Sequence, residues 1–129
     1  MAVQSWDCVS HVCHPEHPSW QILNDAYRDA IRPTNGDGTI GRTLPCLLQS
    51  AGVVDIRTKI HVRSVETGTP RRVHRLNLLN TAKPKILALG RLTESEFERH
   101  KKELSDHLAD PNTLLIDQLF VQSWGKKKP

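Results

Sequence analysis

At 129 residues, with 37% hydrophobic, 5% aromatic and 25% charged residues, the chain has the size of one domain with a lean, aliphatic core. The formal net charge of +4 comes from 18 basic and 14 acidic residues that are interspersed; Arg71-Arg72 and Lys101-Lys102 lack aromatic neighbours, and the tail Lys126-Lys127-Lys128 reads as a solvated end, so no nucleic-acid partner is expected. No apolar run is long enough to span a membrane, the first residues do not read as a signal peptide, and three cysteines (Cys8, Cys13, Cys46) lack framework spacing, so a soluble cytoplasmic protein is expected.

Ala2 to Val12 alternates loosely and predicts a first strand. His14-Pro15-Glu16-His17-Pro18 cannot continue it, because each proline lacks a donor and restricts its predecessor. Ser19 is a suitable N-cap, and Trp20, Leu23, Tyr27 and Ile31 follow at helical spacing to about Arg32. Pro33 to Gly38 has the composition of a loop, with Gly36-Asp37-Gly38 a turn.

Ile40, Leu44, Leu47, Leu48 and Ala51 form the apolar face of a second helix, which Gly52 ends. In the strand after it, Val54, Ile56, Thr58, Ile60 and Val62 share one parity, predicting one buried face. Thr67 to Pro70 is a turn, and 73–89 a helix that Pro84 should kink or split. Thr93 to Glu96 is a capping box opening a helix that turns Phe97, Leu104 and Leu108 inward. Leu114 to Trp124 is apolar on both parities and predicts a covered interior strand. The chain thus reads as a single α/β domain: a strand-helix-helix-strand unit (1–66), a helical insertion (67–112), a final strand (113–125) and a basic tail (126–129).

This order resembles the C-terminal portion of a class I S-adenosylmethionine-dependent methyltransferase of the small-molecule type. Ser5-Trp6-Asp7 resembles the end of that family's fifth strand and Ile40-Gly41-Arg42-Thr43-Leu44-Pro45-Cys46-Leu47-Leu48 its following helix. Ala51-Gly52-Val53-Val54-Asp55 resembles the start of its sixth strand, and Leu119 to Gly125 its seventh. The resemblance implies a small three-stranded mixed sheet in the order first-third-second, the last strand antiparallel, as a partial methyltransferase fold. The family's first four strands and glycine-rich loop have no counterpart, so this chain alone is expected to bind no cofactor; S-adenosylmethionine enters only if a partner supplies that half. The first strand's open edge then implies a homodimer or a hetero-partner.

Two groups of side chains could carry chemistry. His11, His14 and His17 recur at every third residue beside Cys8 and Cys13, but without a second well-spaced ligand pair they make no metal set. A histidine of this loop can accept a proton from an attacking hydroxyl, and the resemblance places all three against an acceptor substrate; in the bland reading one histidine caps the following helix and the rest are solvated. Trp6, Asp7, Trp20 and Arg42 are the candidate substrate-binding residues, Trp6 and Asp7 at the carboxyl end of a strand, where α/β sheets hold ligands. Arg42 equally suits pairing with a carboxylate such as Asp37, and Ser10 and Cys13 have no nucleophile partner in sequence.

The implied function is methyl transfer to a small molecule in secondary metabolism, with the isolated chain's own activity left open. Two alternatives stand beside it: a non-methylating cyclase or isomerase on a remnant of the fold, and a non-catalytic subunit that completes a partner's sheet.

Overall fold

A computed structural model describes residues 1–32 and 37–129, so the expected loop over 33–38 lies largely outside the described residues. In chain order the elements are β1 (Ala2–Asp7), β2 (Val12–His14), α1 (Pro18–Ile31), α2 (Ile40–Ser50) and β3 (Val53–His61), then a 3₁₀ turn (Pro70–Val73), α3 (His74–Ala88), α4 (Glu94–Ala109), β4 (Leu114–Ile116) and β5 (Leu119–Lys127). They gather into two compact units, one of Met1–His11, Asp37–Arg63 and Asp117–Pro129, the other of Val12–Gly36 and Ser64–Ile116. The protein is α/β.

In the first unit β5 lies between β1 and β3, antiparallel to both. This is the expected first-third-second order with the last strand reversed. The sheet is not mixed, however: a reversed strand in the centre leaves no parallel pair hydrogen-bonded. Helix α2 packs against all three strands and buries Gly41, Leu44 and Leu48, while Val53, Val121 and Ser123 are buried in the same unit. Its expected apolar face is only partly used, since Leu47 is 51% exposed and Ile40 and Ala51 are exposed too. Gly52 follows the helix at φ 79°, the left-handed conformation that ends it.

The expected buried face of β3 is corrected by a bulge. Val54 pairs with Lys126 and Arg57 with Trp124, so Asp55 and Ile56 together stand opposite Gly125, and Asp55 takes φ 54°. The extra residue reverses the alternation, putting Val54 on the opposite side of the sheet from Thr58 and Ile60. As an edge strand, β3 leaves Ile60 53% and Val62 60% exposed.

Two predicted strands are each divided between sheets. The first ends at Asp7, whose side chain accepts from the Val9 N–H while its carbonyl accepts from Ser10, a side-chain-stabilised turn. Val12–His14 then pairs with β4 in a separate two-stranded sheet. The last breaks at Asp117, whose N–H bonds the Arg63 carbonyl and whose carboxylate accepts from the Gln118 N–H.

The second unit holds the larger core, with Leu23, Leu79, Ile86, Phe97 and Leu104 fully buried. The Thr93 capping box forms in both directions, and α4 turns Phe97, Leu104 and Leu108 inward as its spacing predicts. Helix α3 runs unbroken from His74 to Ala88 with Pro84 inside it, so the expected split does not occur. Pro84 is exposed, and Leu79, Ala82 and Ile86 on either side of it are buried, so packing holds the helix together through the missing donor.

Candidate functional site

The carboxyl end of β1 is the best-formed polar cluster of the first unit. Asp7 is 3% exposed and accepts on one oxygen from the Val9 N–H. On the other it holds Arg42, with Nη2 at 2.6 Å and Nε at 2.8 Å. Arg42 is brought there by Gly41, where a Cβ would lie 2.8 Å from the backbone C and O of Trp6, so only glycine lets α2 approach β1 this closely.

The suggested partner for Arg42, Asp37, is engaged elsewhere: its carboxylate accepts from both the N–H and the hydroxyl of Thr39, which holds it below its usual range, with Arg42 a lesser influence. Ser10 completes the cluster, donating to the Asp7 carbonyl and accepting from the Leu119 N–H, a structural bond between the β1 turn and β5. The sequence gives no sign of it, because its partner is 109 residues away. Trp6 lies against Phe120, ring centroids 4.6 Å apart and tilted by 51°. This cluster can hold a polar group at the exposed side of Arg42, because Asp7 already neutralises part of the guanidinium charge and fixes its plane.

The histidines separate. His11 belongs to the first unit and is half-buried. His14 and His17 belong to the second. His14 is exposed at the end of β2, whereas His17 is the N-cap of α1, its Nδ1 accepting from the Ser19 N–H at 3.1 Å. That corrects the assignment of Ser19, which stands one residue after Pro18 inside the helix and is fully buried. Its hydroxyl lies 2.9 Å from both His100 Nδ1 and Glu103 Oε2, tying α1 to α4. His17 also faces the His107 ring at 5.1 Å, and Trp20 is half-buried against the core.

Of the candidate residues, the fold therefore brings Asp7 and Arg42 into direct contact, while Trp6, next to Asp7 in β1, points to the other side of the sheet. His14, His17 and Trp20 lie in the other unit. Among the described residues no three of His, Cys, Asp and Glu are grouped to hold a metal ion, and no helix is long and apolar enough to cross a membrane. Compared with known families and curated proteins, the chain matches no family model and no curated sequence.

Proposed function

We propose that the chain is the acceptor-side part of a small-molecule methyltransferase whose cofactor half comes from a partner. The observation that carries this reading is the position of β5, antiparallel between β1 and β3 and following them in sequence. The Asp7–Arg42 pair at the carboxyl end of β1 supports it, as the place where such sheets hold ligands.

The glycines among the described residues do not fit a cofactor cradle. Gly41 and Gly125 have no room for a Cβ, Gly38 touches Cys8, and Gly52, Gly68 and Gly90 take positive φ in turns and at helix ends. None of them opens a strand-loop-helix phosphate or ribose site among the described residues. No methyl-transfer step is therefore assigned to this chain alone. What the first unit's residues offer is acceptor binding at Asp7 and Arg42, with His11 as a proton acceptor. His14 and His17 belong to the second unit, and His17 already spends Nδ1 on the α1 cap.

An open sheet edge is where a partner strand would pair. β3 is protected by its bulge and by Arg57 and Lys59, the usual defences of an edge. β1 has no lysine, proline or bulge, and Asp7 is its only charge. A partner strand added there extends the sheet, and a homodimer through the same edge is the simplest variant. The unprotected edge also favours a second reading, a non-catalytic subunit that completes a partner's sheet.

Calorimetry with S-adenosylmethionine tests the first reading. The chain alone is expected to give no binding, and co-expression with a glycine-rich half encoded beside it is expected to yield a complex that binds the cofactor and methylates. Micromolar binding by the chain alone refutes the shared-sheet arrangement; a complex that forms without methylating supports the non-catalytic subunit.

A further inference from the structure

Of the chain's three tryptophans, two phenylalanines and one tyrosine, half stand on one side of the three-stranded sheet. Helix α2 covers the side on which Val121 and Ser123 are buried. The alternate residues of β5, Phe120, Gln122 and Trp124, point to the other side together with Trp6 and Gln4 of β1. Trp124 is 40% exposed and Phe120 is half-buried. A sheet face meant only for water carries few large rings, and this one carries three.

The outer strand gives the same face its charge. Arg57 stands opposite Trp124, Lys59 opposite Gln122 and His61 opposite Phe120, all three exposed. Gln4 and Gln122, linked by a hydrogen bond of 3.0 Å, make a polar row between the two aromatic positions, and His61, whose ring lies 6.1 Å from that of Phe120, joins it at 2.6 Å. The unit's aspartates are engaged: Asp7 with Arg42, Asp117 with Arg63, Asp55 with Lys126, and Asp37 with Thr39. Among the described residues no carboxylate pairs with Arg57 or Lys59. A shallow depression of ≈ 590 Å³ beside Trp124 is lined by Asp55, Arg57 and Lys126.

We infer that this face binds single-stranded nucleic acid, with bases stacking on Trp124 and on the Phe120–Trp6 pair and phosphates held by Arg57 and Lys59. Aromatic rings on a sheet floor bordered by cations are the stacking and charge pattern such strands require. A duplex keeps its bases stacked on each other and cannot use the rings. Phe120 and Trp124 are about 13 Å apart at ~3.3 Å per residue, which leaves room for a strand to cross the glutamine row between them. The sequence expectation of no nucleic acid rests on neighbours along the chain; here the rings and the cations come from three separate segments.

The test is fluorescence anisotropy of labelled oligo(dT) and oligo(U) of about 15 nucleotides, at about 50 mM salt. Micromolar binding is expected, falling about sevenfold by ~200 mM salt for two phosphate contacts. Trp124→Ala is expected to weaken it about tenfold. Arg57→Glu with Lys59→Glu, two exposed positions whose exchange is expected to leave the circular dichroism unchanged, is expected to abolish it. A preference between the two oligonucleotides tells DNA from RNA as the ligand, and either supports the site. No anisotropy change, equal affinity for a duplex, or binding lost only when Lys127 and Lys128 become alanine would each overturn it. So would self-association that Trp124→Ala abolishes, without oligonucleotide binding.

Discussion

Arg42 reaches across from the first turn of α2 and places both Nη2 and Nε within 2.8 Å of one carboxylate oxygen of Asp7. The acid is buried and the arginine is half exposed, so the pair behaves unequally on mutation. Arg42→Ala strands a carboxylate that keeps only the Val9 N–H, and the expected loss is about 1–3 kcal/mol, smaller than for a fully buried pair because water reaches the site. Urea unfolding measures it, and a loss below about 0.5 kcal/mol would show that solvent replaces the guanidinium entirely.

Close approach of α2 to β1 depends on Gly41. Its Cβ would meet backbone atoms of Trp6, which cannot swing aside as a side chain does. Gly41→Ala is therefore expected to destabilise by about 1–3 kcal/mol despite alanine's better helix propensity. Ser50→Ala, exposed at the end of the same helix, is the matched control and should stay within about 0.5 kcal/mol of the parent in the same urea titration.

The second unit is tied together by Arg72, 3% exposed, whose guanidinium donates to the carbonyls of Leu108 and Val65 at 2.8 Å and to those of Thr113 and Asp110. Arg72→Met leaves these acceptors without their donor and should cost about 3–5 kcal/mol. Arg72→Lys is expected to recover little of it, because one ammonium cannot serve a fork of carbonyls. Thermal unfolding of the two variants side by side distinguishes geometry from charge.

Thiol reactivity should rank the cysteines. Cys13 is buried, and its burial pushes the thiol above its ordinary value against a smaller opposing pull from Arg72. Cys46 is exposed. Alkylation near neutral pH followed by mass mapping is expected to modify Cys46 first and Cys13 last, in step with unfolding of the second unit.

Acid should loosen α4 from its N-terminus. The Thr93 backbone and hydroxyl hold Glu96 below its ordinary value, and Lys83, then Lys101, hold Glu98 below it. Depressed carboxyls contribute stability that is full above about 4.5 and is lost as pH falls through their folded values. NMR titration should therefore place both midpoints below 4.5, and Thr93→Ala should move that of Glu96 upward while leaving Glu98 in place.

What could be read from the sequence was whatever is decided within a turn or two of chain. The capping box at Thr93, the inward Phe97, Leu104 and Leu108 and the glycine stop after α2 all rest on contacts between near neighbours, whereas the cap of α1 fell to His17 and not to Ser19. The strand order β1-β5-β3 agrees with the expected first-third-second order, which no local pattern in the chain could supply.

Tertiary structure decided the rest. The Asp55 bulge reversed the face of β3, and the turns at Asp7 and Asp117 divided two apparent strands between separate sheets, because backbone hydrogen bonds found partners that no local pattern announces. Arg42 met Asp7 instead of Asp37, its nearer neighbour in sequence. Trp124 and Arg57 share a face although 67 residues separate them, since pairing register, and not proximity along the chain, sets which side chains meet across a sheet.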